Sequence, residues 1–335
     1  MRWLVLAFLS GWAVLLAPSH GAWAETFQAG FTILSLTDPV EGGAMSALAV
    51  YPVRSGNGPV ELGPFTIAAT RGAVAMPGPH PLIVVSHGMG GNMLGHHDSL
   101  VALAQAGFVA VAVEHPRDNF RDDSGFGTDL QLVGRPHHVT ALIDALLKHS
   151  TLGPLIDRTR IGMAGHSVGG YTALLIAGAV PKLALREAYR QAVSVDPLRA
   201  RADAVGAWRR KPDLPFTADE RVRAIFLMAP ALGYLFDEDA LAKVRIPVRL
   251  WRPEADEILI HPWNAERIAR MLPARPEYDV LEGAGHFVFL APCAAAFAAR
   301  LPAICVDPPG IDRAAVHARL NADMIGFFRR SLDVK

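Results

Sequence analysis

The chain has 335 residues, of which 51% are hydrophobic and 19% are charged, and its 32 basic residues balance 32 acidic ones. This balance gives no electrostatic basis for binding nucleic acid or an anionic membrane surface. The length suits one large α/β domain or two smaller ones, with ample apolar material for a core. The composition therefore indicates a globular protein with no nucleic-acid partner.

The first 24 residues differ from the rest of the chain. Arg2 supplies a positive charge, and an almost continuous apolar run follows from Trp3 to Ala17. Ala22-Trp23-Ala24 then fits the small-residue pattern of a signal-peptide cleavage site. We predict a signal peptide over residues 1–24 and an exported protein, periplasmic or secreted, that begins at Glu25. The alternative is an uncleaved anchor, which the shortness of the apolar run disfavours.

Predicted strands and helices alternate along the rest of the chain. The predicted strands lie at 31–36, 46–51, 82–86, 109–113, from Arg160 into the Gly-x-Ser-x-Gly segment, and at 224–228, 248–251 and 278–281. The predicted helices lie at about 97–106, 136–148, from Val168 onward, 263–272 and 312–332. Apolar strands that alternate with helices indicate a mostly parallel sheet with helices on both faces. No later segment of about 20 residues is continuously apolar, so we expect no stable membrane insertion of the mature chain.

Residues 181–222 interrupt this alternation. The segment is rich in Arg, Ala and Asp, has a helical character, and contains Pro212 and Pro215. Long connections in compact domains usually carry function or structure of their own. We interpret the segment as an insertion that caps the strand ends within a single domain over 25–335. The alternative is an ordinary long crossover connection.

The segment Gly165-His166-Ser167-Val168-Gly169 matches Gly-x-Ser-x-Gly and lies between an apolar strand and a helix. In a nucleophile elbow the turn is so sharp that the serine backbone is strained and side chains two residues away would collide. The turn exposes the serine hydroxyl, and the N–H of Val168 points to where an oxyanion would form. The context therefore predicts Ser167 as a nucleophile, against the alternative of a chance match in a glycine-rich loop.

The loop after the strand at 82–86 reads His87-Gly88-Met89-Gly90-Gly91. Its glycines let the backbone approach an acyl oxygen, and we predict the N–H of Met89 as the second oxyanion donor. A phosphate-binding loop is disfavoured because the Walker lysine and the G-x-G-x-x-G spacing are missing. His96-His97-Asp98 and His137-His138 suggest a metal site, but no ligand spacing connects them. We therefore expect neither a metal nor another cofactor.

A serine hydroxyl needs a histidine to take its proton and a carboxylate behind that histidine. In this type of fold the three residues follow in the order serine, acid, histidine. His286 is the histidine candidate because it follows the last predicted strand in a glycine-rich loop. Asp256, just after the strand at 248–251, is the predicted acid, with Glu254 and Glu257 as close competitors.

Cys293 and Cys305 are the two cysteines of the chain. An exported protein meets an oxidising compartment, in which an even pair of cysteines fits a disulfide. Neither residue has the sequence context of a nucleophile. We predict a bridge between them, outside the active site, and the alternative is two buried free thiols.

Together these motifs resemble those of the α/β-hydrolase superfamily. More narrowly, the sequence resembles the predicted dienelactone-hydrolase-like enzymes related to platelet-activating-factor acetylhydrolases. The segments that carry the resemblance are 86–91, 165–170, 254–257, 283–287, 229–231 and the tail over 292–310. The resemblance implies an α/β-hydrolase fold and a cofactor-free serine hydrolase of carboxylic esters, with Ser167, Asp256 and His286 as its triad. The chain departs from dienelactone hydrolases, which use a cysteine nucleophile, and from acetylhydrolases, whose acid follows the preceding strand.

The sequence thus predicts an exported serine esterase that acts on a small-molecule ester through an acyl-enzyme. A lipase-like or phospholipase-like hydrolase of lipid esters is the alternative within the same class, followed by a peptidase. A non-catalytic member of the fold that binds a ligand is the alternative from a different class.

Overall fold

A computed structural model describes residues 27–196 and 214–334 of the chain. The predicted signal peptide and the middle of the 181–222 insertion lie outside these residues. No helix within the described ranges has the length and apolarity that crossing a bilayer requires.

A nine-stranded sheet forms the centre of the fold. Its strands are β1 (Gln28–Thr37), β2 (Ala44–Val53), β5 (Thr70–Arg71), β6 (His80–Ser86), β7 (Val109–Glu114), β8 (Ile156–His166), β9 (Val222–Met228), β10 (Val248–Pro253) and β11 (Glu277–Leu281). They are ordered β11-β10-β9-β8-β6-β7-β2-β1-β5. The strands from β6 to β11 pair in parallel, while β2 pairs antiparallel with both β7 and β1. The predicted, mostly parallel sheet is therefore confirmed.

Helices cover the sheet, and the described ones are α1 (His97–Gln105), α2 (Arg135–Lys148), α3 (Val168–Ile176), α4 (Leu185–Ala192), α5 (Glu238–Leu241), α6 (Ala265–Met271), α7 (Ala295–Arg300), α8 (Pro302–Cys305) and α9 (Arg313–Ser331). The helices predicted at 97–106, 136–148 and 312–332 agree with α1, α2 and α9 to within about two residues. The helix predicted at 263–272 corresponds to α6, which is three residues shorter than predicted. The side chain of Asp312 caps α9 by accepting a hydrogen bond from the N–H of Ala315.

The loop-rich stretch over 54–80 contains short strands that the sequence does not predict. Here β3 (Val60–Leu62) and β4 (Phe65–Ile67) form a separate two-stranded sheet, and β5 pairs with the outer edge of β1. Another unpredicted element is a π-helical turn over Leu130–Gly134, which leads directly into α2. It lies in the connection between the strand predicted at 109–113 and the helix predicted at 136–148.

The core lies on both faces of the parallel strands, and every residue of β6 is buried. On one face α9 packs against β9, where the rings of Phe327 and Phe328 contact Phe226. A side chain at Gly162 of β8 would collide with the ring of Phe328, since its Cβ would lie 2.6 Å from that ring. Burying these large apolar surfaces is the main stabilising contribution to such a fold.

Cys293 and Cys305 form the predicted disulfide, with an S–S distance of 2.05 Å. The bridge joins the segment just before α7 to the last residue of α8. It thereby closes a short loop that follows the turn carrying His286.

Candidate active site

The backbone of Ser167 is held in a strained conformation between β8 and α3. Its φ is +55° and its ψ is −119°, in a region that side-chain-bearing residues rarely occupy. The Ser167 N–H donates to the carbonyl of Met228 at 2.9 Å, and the Ser167 carbonyl accepts from the N–H groups of Gly170 and Ala231. These backbone bonds to β9, to α3 and to the loop after β9 fix the turn in spite of the strain.

The glycines on either side of Ser167 are required by direct backbone contact. A Cβ on Gly165 would lie 2.1 Å from the carbonyl oxygen of Gly169. A Cβ on Gly169 would lie 1.9 Å from the carbonyl oxygen of Ser86. Neither contact is possible, so the turn has the geometry that the Gly-x-Ser-x-Gly spacing predicts.

His286 and Asp256 form a buried pair. Nδ1 of His286 lies 2.9 Å from Oδ2 of Asp256, and the two side chains are 3% and 2% exposed. The other carboxylate oxygen of Asp256 accepts hydrogen bonds from the N–H groups of Ile258 and Leu259. Because the Asp256 carboxylate faces Nδ1 as an acceptor, Nε2 is the ring nitrogen that can accept a proton as a base.

The two competing acids contact the backbone of the histidine loop instead of the imidazole. The carboxylate of Glu257 accepts the N–H of His286 at 2.9 Å, and that of Glu254 accepts the N–H of Gly283 at 2.9 Å. All three acids of this loop therefore hold the histidine segment. Of the three, Asp256 is the one that contacts the ring.

The residue before the serine links the elbow to the histidine turn. The ring of His166 lies 4.9 Å from the ring of His286, and its Nε2 donates to the His286 carbonyl at 3.3 Å. Burial, followed by the proximity of His286, holds the pKa of His166 well below its usual range. His166 is therefore neutral and brings no competing charge to the site.

The loop over 87–91 lies against the elbow. A Cβ on Gly88 would be 3.2 Å from Cβ of Ser167, so glycine permits the close approach that the sequence predicts. Met89 and Val168 line one common cavity. Within residues 27–196 and 214–334, neither of their backbone N–H groups has a hydrogen-bond acceptor. Two unpaired donors beside a serine are the arrangement that an oxyanion hole needs.

The comparison with known protein families agrees with the fold described above. The family model described as "Alpha/beta hydrolase family" matches residues 82–300, which is well over half of the chain. The chain belongs to the alpha/beta hydrolase family. This hydrolase is also similar in structure to a ferulic acid esterase from Streptomyces cinnamoneus, with a TM-score of 0.60 and 19% sequence identity over 96% of this chain and 93% of that chain. No curated protein matches this hydrolase.

A buried ion pair supports the loop over 87–91. The guanidinium of Arg135 donates to the carbonyl of His87 and lies 3.6 Å from the carboxylate of Asp118. Asp118 in turn accepts the N–H of Gly90. Burial lowers the pKa of Arg135 to about 10, so the group remains charged at neutral pH. The sequence gives no signal for this role, because an arginine before a proline looks like an ordinary helix start.

The histidines that suggested a metal site bind other partners. Nδ1 of His138 lies 3.1 Å from Nδ1 of His115, and its Nε2 lies 3.1 Å from Asp38. His96 instead contacts the carbonyl of Phe289, nearer to His286. No group of three or more metal-ligating side chains is present in the described part of the chain.

The cavity beside Met89 and Val168 extends towards α4. Its apolar wall includes Phe126, Tyr189, Leu232, Tyr234, Ile258 and Leu259. Tyr189 of α4 stacks on Tyr234 with ring centroids 4.0 Å apart, which packs α4 against the loop after β9. The described part of the 181–222 insertion therefore forms one side of the cavity.

Proposed function

We propose that this hydrolase is a serine esterase with Ser167 as its nucleophile. The observation that carries the proposal is the buried pair of His286 and Asp256, packed beside a strained serine elbow. A neutral imidazole oriented by a carboxylate is the group that activates a serine hydroxyl. Family membership supports the same reaction class.

In the proposed reaction, Nε2 of His286 takes the proton of the Ser167 hydroxyl as Oγ attacks the ester carbonyl carbon. The oxyanion then accepts hydrogen bonds from the N–H groups of Val168 and Met89. Asp256 stabilises the imidazolium, which gives its proton to the leaving alcohol and so produces the acyl-enzyme. Water, deprotonated by His286, releases the acid and restores Ser167, and none of these steps requires a cofactor.

We propose small carboxylic esters as the substrates and the 181–222 insertion as a cap over the site. The apolar wall that α4 helps to form favours an ester with an apolar acyl or alcohol portion. The structural neighbour is named a ferulic acid esterase, so an aromatic carboxylic ester belongs among the compounds to test.

We also propose that the chain is exported and that residues 25–335 are the mature domain. The disulfide between Cys293 and Cys305 supports this location, because such bonds persist in oxidising compartments. The predicted signal peptide over 1–24 would direct the chain to export.

The experiment measures the activity of the protein comprising residues 25–335 on two kinds of substrate. One is a series of p-nitrophenyl esters of increasing acyl length, and the other is an aromatic carboxylic ester. We expect turnover of the short esters, and a loss of several orders of magnitude in Ser167→Ala with the fold intact by circular dichroism. Ser150→Ala is the matched control, since Ser150 is exposed in the turn after α2. Activity of Ser167→Ala within about tenfold of the wild type would exclude Ser167 as the nucleophile.

A further inference from the structure

The turn that carries His286 is held from behind by two other histidines. His286 begins a 3₁₀ turn that ends at Phe289. The carbonyl of Val288 accepts a hydrogen bond from Nε2 of His317 at 2.9 Å, and the carbonyl of Phe289 accepts one from Nδ1 of His96 at 3.0 Å. His317 lies on α9 and His96 lies just before α1, so two distant parts of the chain meet at this turn.

The partners of His317 determine its protonation. Its Nδ1 lies 2.5 Å from Oδ2 of Asp98, while its Nε2 faces the carbonyl of Val288. A carboxylate and a carbonyl are both acceptors, so both ring nitrogens must carry a proton. His317 is therefore a buried imidazolium, paired with Asp98 of α1.

The surroundings of the pair are consistent with a charged carboxylate. Burial alone would raise the pKa of Asp98, but the hydrogen bond and the charge of His317 outweigh burial and lower that pKa to about 2. Asn321 of α9 donates to the same carboxylate oxygen, and its own side-chain oxygen accepts from Ser99 of α1. Among the residues that the structure describes, the other titratable groups that face the pair are His96 and His97, and burial lowers the pKa of both.

A largely buried ion pair such as this one is a costly way to hold two helices together. Both charges lose solvation, and an apolar pair of similar volume often stabilises a protein as well or better. What the imidazolium adds is a charge-assisted hydrogen bond to one particular carbonyl, which fixes distance and direction. That carbonyl lies two residues after His286, on the turn that sets the position of the imidazole.

We propose that Asp98 and His317 are positioning residues for the catalytic histidine. The Asp98–His317 pair fixes the turn over 286–289 and so sets the reach of His286 Nε2 towards Ser167. The inference rests on the proposed function, because it assigns the pair to the same triad. A displacement of a reacting group by about 1 Å can lower turnover by about 100-fold.

The test compares His317→Gln with the wild type in p-nitrophenyl ester hydrolysis. Glutamine can donate to one partner and not to both, so we expect kcat to fall between about 10-fold and 100-fold. KM should stay within about twofold, since the cavity wall is unchanged. His80→Gln is the matched control, because the His80 ring is also buried and also faces two backbone carbonyls, those of Gly107 and Met76.

The control separates positioning from general stability. Both variants should unfold at a lower temperature than the wild type, and His80→Gln should keep its kcat at a temperature where it is folded. An unchanged kcat in folded His317→Gln, or an equal loss of kcat in His80→Gln, would overturn the proposal. Asp98→Asn provides a second variant, because asparagine has nearly the same shape as aspartate but no charge. We expect its kcat to fall as well.

A spectroscopic measurement tests the protonation directly. In ¹⁵N NMR of the wild type at the pH of the assay, the ring of His317 should show protons on both nitrogens, and Asp98→Asn should weaken that signature. A His317 ring with a single proton would overturn the proposal. Failure of the proposed function would look different, because the wild type itself would then hydrolyse no ester.

Discussion

The three acidic residues of the loop over 254–257 contact different groups, because their carboxylates point in different directions. Asp256 contacts the imidazole of His286, whereas Glu257 and Glu254 contact backbone N–H groups. We expect Asp256→Asn to lower kcat on the order of 10⁴-fold, because an amide favours the wrong tautomer of the histidine. Steady-state kinetics on a p-nitrophenyl ester measures this loss.

The neighbouring acids provide the matched comparison for Asp256→Asn. In Glu257→Gln and Glu254→Gln the amide oxygen can still accept the same backbone N–H, so we expect activity within about tenfold of the wild type. If either glutamine variant lost more activity than Asp256→Asn, the assignment of the acid would be wrong.

The sequence indicates which residues are candidates for the site better than it indicates how their side chains are oriented. Ser167 and His286 stand in motifs whose glycines are needed for backbone geometry, so they can be chosen without a structure. Three carboxylates within four positions cannot be separated by spacing alone, since spacing does not show which side chain turns inward. The support from Arg135 and His317 cannot be seen at all, because each contacts residues far away in the chain.

Among the elements, the elbow between β8 and α3 has no room for a side chain at Gly165 or Gly169. A Cβ on Gly169 would lie 1.9 Å from the carbonyl of Ser86, and both backbones are fixed by the central sheet. We expect Gly169→Ala to lower the free energy of unfolding by about 3 kcal/mol or more, as steric overlap in a buried site does. Urea unfolding followed by circular dichroism measures the change.

Gly43→Ala is the control for the elbow variant. Gly43 lies in the exposed turn between β1 and β2, and a Cβ there would meet no atom within 4 Å. Its free energy of unfolding should stay within about 0.5 kcal/mol of the wild type. Equal stability of the two variants would mean that the elbow is looser than its backbone contacts indicate.

The disulfide between Cys293 and Cys305 closes a loop with a sequence separation of 12 residues. Loop-entropy reasoning assigns such a bridge roughly 3 kcal/mol of stability. We expect reduction, or Cys293→Ser with Cys305→Ser, to lower the melting temperature while esterase activity at moderate temperature stays close to that of the oxidised protein. Loss of activity in a protein that is still folded would place the α7–α8 segment within the catalytic machinery.

Long elements are predictable from the sequence, and short ones are not. The helices α1 and α9 have an apolar pattern long enough to show its period, and β6 is a continuous apolar run of the kind that a strand buried on both faces has. The strands β3, β4 and β5 have only two or three residues, so no period can be read from them. The π-helical turn before α2 has a similar limitation, because five residues are too few to show a helical period.

For the whole molecule, the order of the strands brings the distant motifs together. β6 lies between β8 and β7, and Ser86 pairs with Gly165 in the sheet register. This pairing sets the loop of Met89 beside Ser167, although the two are far apart in the sequence. Alternation of strands and helices predicts a parallel sheet but not its order, which the resemblance to α/β hydrolases supplies.

The stability of the whole molecule should depend on pH through Asp98. Its pKa is about 2 in the folded protein against an ordinary value of 3.8, so its carboxylate is favoured by folding. A lowered pKa contributes stability that is present above the unfolded pKa and is lost as the pH falls through about 2. The contribution at neutral pH is roughly 2 kcal/mol.

Urea unfolding of the wild type and of Asp98→Asn at several pH values tests this dependence. The wild type should be the more stable protein at pH 7, and the difference should shrink as the pH falls towards 2. If the difference in free energy of unfolding between the two proteins were the same at pH 7 and near pH 2, that result would contradict a charged pair between Asp98 and His317.

The central claim is that His286 and Asp256 activate Ser167, and labelling with a fluorophosphonate tests it most directly. This reagent forms a covalent bond with an activated serine whatever the natural substrate is. We expect one adduct on the protein, located at Ser167 by peptide mass spectrometry, and much slower labelling of Asp256→Asn. An unlabelled wild-type protein, or an adduct on another serine, would contradict the account.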